Sequence, residues 1–173
     1  MEVEIRPNIT GRILDIGGGG EGIMGRVYGN QVTAIDISQA ELDEAPEGFE
    51  KILMDAADMS LPEASFDNVT AFYSMMFISK SKHEAVISEA TRVLKPGGRL
   101  YIWDAAFDEA DPYIVHLTIR LPEETIETTY GVFETEAAQS ATYLIGLCQQ
   151  QGLDLLVEQT FGDQFYLCFE KPV

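Results

Sequence analysis

The sequence predicts an α/β fold built on a doubly wound parallel sheet. Short apolar strand patterns alternate with helical patterns over the first hundred residues. A run of four glycines, Gly17 to Gly20, directly follows the first core strand. An aspartate lies at or near the end of each of the first three core strands, as Asp15, Asp36 and Asp55. Alternating strands and helices are typical of parallel sheets with helices on both faces.

The individual elements follow from periodicity and end signals. We expect strands at 12–16, 31–37, 51–54, 67–74 and 99–103, and helices at 22–26, 38–45 and 81–94. Ser38 with Glu41 and Ser81 with Glu84 resemble capping boxes. The Lys95–Gly98 run ends the third helix with breaker residues.

The remaining third departs from this alternation. Residues 113–119 and 125–130 predict a hairpin around Leu121–Glu124, which we interpret as an insertion at about 112–131. A last helix is expected at 136–151, followed by a terminal hairpin of residues 153–161 and 164–170. Residues 1–10 read as a short lead. We expect one domain across residues 1–173.

The glycine run is hard to explain by packing, because each glycine adds a backbone entropy cost on folding. Gly17, Gly19 and Gly22 fit G-x-G-x-x-G, and Asp36 follows at the distance of a ribose-binding acid. Both nicotinamide dinucleotides and S-adenosylmethionine use such a turn. A pyrophosphate would be repelled by Asp15 and Glu21, whereas a sulfonium and an ammonium would be attracted. A cationic nucleoside is therefore favoured, with a dinucleotide or a ligand-free connector as alternatives.

Composition limits the classes of partner. The net charge is −18 in 173 residues, which disfavours nucleic acid and anionic lipid surfaces. No apolar leader or membrane-spanning run is evident, so a cytoplasmic location is expected. Cys148 and Cys168 stand in unrelated contexts and predict reduced core thiols without a disulfide or a metal site.

Five segments, in this order, carry a resemblance to a known family. They are Ile13–Gly19, Ala34–Ser38, Asp55–Pro62, Phe66–Val69 and Glu89–Leu100. With these segments the chain resembles the class I S-adenosylmethionine-dependent methyltransferases, in particular the small-molecule branch called methyltransferase type 11. The resemblance implies a Rossmann-like, seven-stranded sheet with an antiparallel last strand. It also implies S-adenosylmethionine as cofactor, S-adenosylhomocysteine as product and a small-molecule acceptor.

The resemblance further implies roles for single residues. The methionyl part would lie against Asp15, Gly17, Gly18 and Gly19; Asp36 would bind the ribose; Ile37, Asp55 and Ala56 would contact the adenine; Phe72 and Tyr73 would flank the transferred methyl group. One departure is that the usual third glycine of the loop falls at Glu21, between Gly20 and Gly22, so no cofactor contact is assigned to Gly22.

The catalytic residues are not evident from the sequence. Tyr73, Asp104 and His116 are candidates for acceptor contact or proton transfer, whereas His83 is expected to be solvated. Trp103 and Phe107 are candidates for an acceptor pocket wall or for core.

The cover over the methyl group is equally open. Residues 1–10, the segment after Asp104, the inserted hairpin and a homodimer partner could each provide it. A non-catalytic S-adenosylmethionine or S-adenosylhomocysteine sensor, a partner subunit, and a nicotinamide-dependent reductase are the alternatives to a methyltransferase.

Overall fold

The computed structural model describes residues 1–6, 8–108, 112–133 and 138–173. Its strands are β1 (Glu2–Glu4), β2 (Ile13–Ile16), β3 (Val32–Asp36), β4 (Glu50–Leu53), β5 (Phe66–Phe72), β6 (Leu94–Ala105), β7 (Tyr113–Arg120), β8 (Thr125–Val132), β9 (Asp154–Phe161) and β10 (Gln164–Glu170). Its helices are α1 (Ile23–Tyr28), α2 (Gln39–Glu44), α3 (Lys80–Val93) and α4 (Ala141–Gln150).

The main sheet has seven strands in the order β4-β3-β2-β5-β6-β10-β9. The strands β4, β3, β2, β5 and β6 pair in parallel, whereas β10 is antiparallel to both β6 and β9. The predicted fold class and the antiparallel last strand are therefore confirmed. Because β2, β3 and β4 are parallel neighbours, their carboxyl ends meet at one edge.

The two faces of this sheet bury separate apolar cores. One core joins α3 and α4 to the sheet through residues such as Ile87, Leu144 and Leu167. The other includes Ile23 and Met24 of α1. Cys148 and Cys168 are both buried and unbridged, in agreement with their expected place in the core.

A second sheet covers the α1 face of the main sheet. The predicted insertion forms the antiparallel pair β7–β8, and Val115, Leu117 and Ile119 point into the second core. β1 pairs in parallel with β7, from Glu2 opposite Thr118 to Glu4 opposite Arg120. The sequence interpretation missed β1, because a three-residue strand that pairs with a distant segment has no local signature.

Two helix starts differ from the prediction. The helix α2 is capped as expected, with the Ser38 hydroxyl accepting from the Glu41 amide at 3.3 Å. The helix α3, however, starts at Lys80 after Ser79, so the proposed Ser81 cap is wrong. The helix α4 is capped by Ser140, which excludes helix at 138–140; the earlier part of the predicted helix, from Glu136, lies outside the described residues.

The apolar face predicted for α3 also needs correction. Ala85 is exposed, and Val86 and His83 take the inward positions instead. His83 is fully buried, and its Nε2 atom lies 3.1 Å from the Met75 carbonyl oxygen and 2.9 Å from that of Ile78. The expectation that His83 is solvated was therefore wrong. In the described part of the chain, no helix has both the length and the apolarity needed to cross a bilayer.

Candidate functional site

A cavity of about 620 Å³ lies at the carboxyl ends of β2, β3 and β4; we call it the strand-tip cavity. Its wall includes every residue that the sequence proposed for cofactor binding, namely Asp15, Gly17, Gly18, Gly19, Asp36, Ile37, Asp55, Ala56, Phe72 and Tyr73. The three strand-end aspartates thus face one space, as parallel strands require.

Asp15 is the most buried acid of this cavity, with 3% of its surface exposed. Its Oδ1 atom accepts a hydrogen bond from the Thr70 hydroxyl at 2.7 Å. Burial raises the pKa of Asp15 to about 7, which the Thr70 bond partly offsets and the nearby Asp36 adds to. A buried carboxyl of this kind is stabilised as an anion by any cation that enters the cavity.

Asp36 ends β3 and stands half-buried at the cavity wall. Its Oδ1 accepts from the Ser38 amide at 2.9 Å, and its Oδ2 accepts from the Gly19 amide at 3.3 Å. These two bonds fix the carboxylate at the mouth of the glycine loop. Each oxygen keeps acceptor capacity for a further donor, which suits a pair of ribose hydroxyls.

Asp55 has a cationic partner that sequence reasoning missed. Its Oδ2 atom lies 2.8 Å from the Lys82 ammonium, and its Oδ1 accepts from the Ala57 amide at 2.9 Å. The hydrogen bond to Lys82 lowers the pKa of Asp55, with the Ala57 amide acting in the same direction. Lys82 comes from the first turn of α3 and also lines the cavity. Its positive charge therefore favours the ionised form of Asp55 in the cavity wall.

The glycine loop packs closely against side chains of neighbouring segments. A Cβ atom at Gly17 would lie 2.6 Å from that of Ser74, and one at Gly19 would lie 2.6 Å from that of Glu41. Such approaches are too short for any other residue. The interpretation that packing does not explain these glycines was therefore wrong, although the loop also lines the cavity.

The hairpin of β7 and β8 covers the glycine loop; we call this hairpin the roof. Glu21, at the position where the family pattern has a glycine, accepts hydrogen bonds from the hydroxyls of Thr128 and Tyr130. Arg26 of α1 adds an ion pair with Glu124 at 3.0 Å. Tyr130 also lines the strand-tip cavity. Among the described residues of the segments considered from the sequence, those of the hairpin line this cavity.

Tyr73 directly follows β5 and adopts a left-handed backbone conformation with φ of 47°. Bulky residues rarely adopt this conformation, and such strain is concentrated at functional sites. Its hydroxyl donates to the Gln164 side-chain oxygen, and its ring meets Phe72 edge-on with centroids 5.0 Å apart. Burial raises the pKa of Tyr73 and the negative charge of Asp104 raises it further, so the phenol stays protonated at neutral pH.

The other two catalytic candidates lie elsewhere. Asp104 is fully buried, and its carboxylate accepts from the Gln139 amide at 2.6 Å and from the backbone amide of Met76 at 3.3 Å. Burial raises the pKa of Asp104 to about 7. His116 is exposed on the outer face of the roof, bonded to Thr129 at 2.8 Å. Neither is among the described residues that line the strand-tip cavity.

Sequence reasoning also missed several wall residues that come from outside the motifs. They are Glu41, Met54, Ser74, Phe77, Lys82, Thr129 and Tyr130. Ser74 could have been suspected, since it follows the strand that ends beside the glycine loop. The roof residues had no sequence signal, because their position depends on how the insertion folds back.

Comparison with known proteins agrees with this geometry. The methyltransferase type 11 family model, described as a methyltransferase domain, matches residues 14–102, just over half of the chain. An O-methyltransferase of Pyrenophora dematioidea is 26% identical over 164 residues, which cover 88% of this chain and 57% of the relative. The 27-O-demethylrifamycin SV methyltransferase of Amycolatopsis mediterranei is 37% identical over 105 residues, covering 54% and 38%. The chain thus spans little more than half of the first relative and little more than a third of the second.

Solved structures show the same fold at low identity. A S-adenosylmethionine-dependent methyltransferase from Mesorhizobium loti has a TM-score of 0.69 at 14% identity, over 96% of this chain and 94% of that one. The glycopeptide N-methyltransferase MtfA, complexed with S-adenosylmethionine, has a TM-score of 0.65 at 14% identity, over 95% and 89%. The family match and the shared fold show that the chain belongs to the class I S-adenosylmethionine-dependent methyltransferases, whose cofactor is S-adenosylmethionine.

Proposed function

We propose that this protein transfers the methyl group of S-adenosylmethionine to a small-molecule acceptor by in-line displacement. The observation that supports this most directly is the convergence of Asp15, Asp36 and Asp55 on one cavity at adjacent strand ends. A cationic nucleoside with two ribose hydroxyls and an exocyclic amine has a donor or a positive charge for each of these acids.

Two further features of the cavity fit such a ligand. The Ser74 hydroxyl oxygen is buried, and the described residues leave it without a hydrogen-bond partner although Ser74 lies in the cavity wall. A buried polar group without a partner is unusual and indicates a ligand contact. The buried Asp15 carboxyl likewise gains most from a nearby cation, because burial disfavours its charged form.

The assignments then follow position by position. Asp15 and the loop glycines would hold the methionyl part, Asp36 the ribose hydroxyls, and Asp55 with the Ala56 amide the adenine. Phe72 and Tyr73 would enclose the sulfonium end. Bound S-adenosylmethionine supplies an electrophilic methyl group whose bonding electron pair leaves with a neutral thioether. The protein then contributes chiefly by aligning the acceptor and excluding water, which can lower a barrier by about 7 to 11 kcal/mol.

The test combines binding with turnover. Calorimetry with S-adenosylhomocysteine should show binding to the wild-type protein. Incubation with S-adenosylmethionine labelled in its methyl group should transfer label to small molecules of a protein-free cell extract. Asp36→Ala should abolish both signals while its circular dichroism spectrum is unchanged. A wild-type protein that binds neither nucleoside would overturn the proposal.

A second candidate is a S-adenosylmethionine-binding sensor or partner subunit that transfers nothing. The observation in its favour is that Asp104 and His116 lie outside the described wall of the strand-tip cavity, so neither is placed there to remove a proton. Binding of S-adenosylmethionine without label transfer to any extract component would support this candidate.

The choice of partner rests on charge. With a net charge of −18, a small molecule is a better acceptor than nucleic acid or an anionic membrane surface. A homodimer and a cytoplasmic location stay predictions from the sequence. Light scattering at several protein concentrations would test the dimer.

A further inference from the structure

A second cavity, of about 460 Å³, lies beyond Tyr73 between the main sheet and the segment that begins with β1; we call it the aromatic cavity. Tyr101 and Trp103 of β6 and Tyr166 of β10 form its floor. Gln159 lines it from β9. Its volume is within the range of small-molecule sites, roughly 300 to 1,000 Å³.

The floor is a continuous aromatic surface. The Tyr101 and Trp103 rings are nearly parallel, at 15° with centroids 6.1 Å apart, and Trp103 lies 5.0 Å from the Tyr166 ring. Trp103 and Tyr166 are only partly buried, so their rings are not sealed within the core. Extended aromatic surfaces of this kind bind flat ring systems by stacking.

The charge of this cavity differs from that of the strand-tip cavity. Among the described lining residues, the charged side chains are Glu2, Glu4 and Arg6. Glu2 forms an ion pair with Arg120 at 2.7 Å, and Glu4 forms one with Arg6 at 2.9 Å. Each carboxylate is therefore paired with an arginine, and the Met1 ammonium donates to the His116 carbonyl oxygen at 2.6 Å. A charged ligand would find no unpartnered charge among these groups. An uncharged ligand loses the least hydration on entering.

The other polar side chains of the wall are neutral. Tyr101 and Tyr166 have pKa values raised by burial, so they are protonated donors at neutral pH. Gln159 and Gln164 add amide groups. Hydroxyl and carbonyl substituents of a ring system can pair with phenols and amides. The cavity is thus suited to an oxygenated, uncharged ring molecule.

Tyr73 connects the two cavities. It lines both, and its hydroxyl donates to Gln164 at the far side. A ring molecule on the Trp103 floor would lie next to Tyr73, the residue at which the aromatic cavity adjoins the proposed sulfonium end of the strand-tip cavity. We propose that the aromatic cavity binds the methyl acceptor, and that this acceptor is an uncharged, flat ring molecule with a hydroxyl group. This inference rests on the proposed function.

The test uses three probes of one shape and different charge. They are 9-phenanthrol, phenanthrene-9-carboxylate and protonated 9-aminomethylphenanthrene. Calorimetry with the whole chain, with and without S-adenosylhomocysteine, should give 9-phenanthrol an affinity at least about tenfold above that of either charged probe. Equal or tighter binding of a charged probe would overturn the inference.

Matched variants on β9 locate the binding. Gln159 is exposed and lines the cavity, whereas its neighbour Thr160 is exposed and outside the described lining. Gln159→Trp should fill the cavity and weaken 9-phenanthrol binding by about tenfold or more, while Thr160→Trp leaves it unchanged. Gln159→Lys should raise the affinity for phenanthrene-9-carboxylate. If 9-phenanthrol binds Gln159→Trp as it binds the wild type, its site is elsewhere.

The same measurements separate the two proposals. Neither Gln159 variant should change the affinity for S-adenosylhomocysteine, because Gln159 is not in the described wall of the strand-tip cavity. Loss of 9-phenanthrol binding with intact nucleoside binding concerns the aromatic cavity alone. Failure of nucleoside binding in the wild type would instead count against the proposed function.

Discussion

The two cavities on either side of Tyr73 are built from opposite chemistry. The strand-tip cavity is lined by carboxyl groups at the ends of parallel strands, including Asp15, Asp36 and Asp55. The aromatic cavity has a floor of rings on the face of the same sheet, and its carboxylates are compensated by arginines. One sheet thus presents carboxyl groups at its strand ends and neutral rings on its face, so its two cavities favour ligands of different charge.

The largest effect on ligand affinity is expected at Asp36, in the strand-tip cavity. Asp36→Ala removes an acceptor for two ribose hydroxyls, and charge-assisted hydrogen bonds are worth about 1.5 to 3 kcal/mol each. S-adenosylhomocysteine affinity should fall by about a hundredfold or more, measured by calorimetry. Asp43→Ala, on the exposed side of α2, is the control and should bind normally. Equal losses in both variants would show that local charge, not the strand-end position, matters.

The next effect concerns the pKa of Asp15, which is about 7 in the folded protein and 3.8 in its ordinary state. A cation binds best when this carboxyl is ionised, so S-adenosylmethionine affinity should rise by about tenfold from pH 6 to pH 8. Asp15→Asn should remove most of that rise. Binding of 9-phenanthrol to the aromatic cavity should show no such pH dependence. An equal rise in its affinity would contradict the difference in charge between the two cavities.

Asp15 also affects stability, and the sign follows from its raised pKa. Between pH 3.8 and about 7 the folded state holds a proton that the unfolded state has lost. Stability therefore falls as the pH rises through this window, and the cost persists above it. Asp15→Asn should raise the free energy of unfolding at pH 8 by on the order of 2 kcal/mol, measured with urea. At pH 3.5 the gain should vanish, and a gain of equal size there would refute this account.

A smaller effect is expected at the roof. Tyr130→Phe keeps the ring but removes the hydroxyl that donates to Glu21 at 3.1 Å. Glu21 retains its bond from Thr128, so the loss should be about 1 kcal/mol. Stopped-flow release of S-adenosylhomocysteine should become about two- to fivefold faster. Tyr113→Phe, which removes a hydroxyl bonded to Asp163 instead, should leave the release rate unchanged.

The smallest effect is expected at the ion pair between Arg26 and Glu124. The two side chains are 31% and 46% exposed, and exposed pairs contribute about 0 to 1 kcal/mol. Glu124→Gln should shift the urea midpoint slightly and leave nucleoside binding unchanged. A tenfold loss of binding would show that the roof depends on this pair far more than exposure implies.

These differences also explain which features the sequence predicted. The acids of the strand-tip cavity follow strands with strong apolar runs, and adjacent parallel strands bring their ends together, so Asp36 and Asp55 could be placed without a structure. The aromatic floor joins Tyr101 to Tyr166 across antiparallel strands, and its other side comes from β1. Such partners are set by register and long-range pairing, which no local pattern specifies.

The errors have a common physical origin. His83 looked solvated because it begins a charged helix, yet it turns inward to bond the carbonyls of Met75 and Ile78. Asp104 was a candidate for acceptor contact because it follows the fifth predicted strand, yet it is buried and accepts from the Gln139 and Met76 amides. In both cases a polar side chain satisfies tertiary partners that lie outside its own element.

The three-stranded sheet lines both cavities. β8 contributes Thr129 and Tyr130 to one, and β1 contributes Glu2 and Glu4 to the other, while β7 joins the two strands. Because one sheet lines both cavities, a substitution that displaces it should alter binding in both at once. Its strands therefore couple two recognition events that involve different faces of the protein.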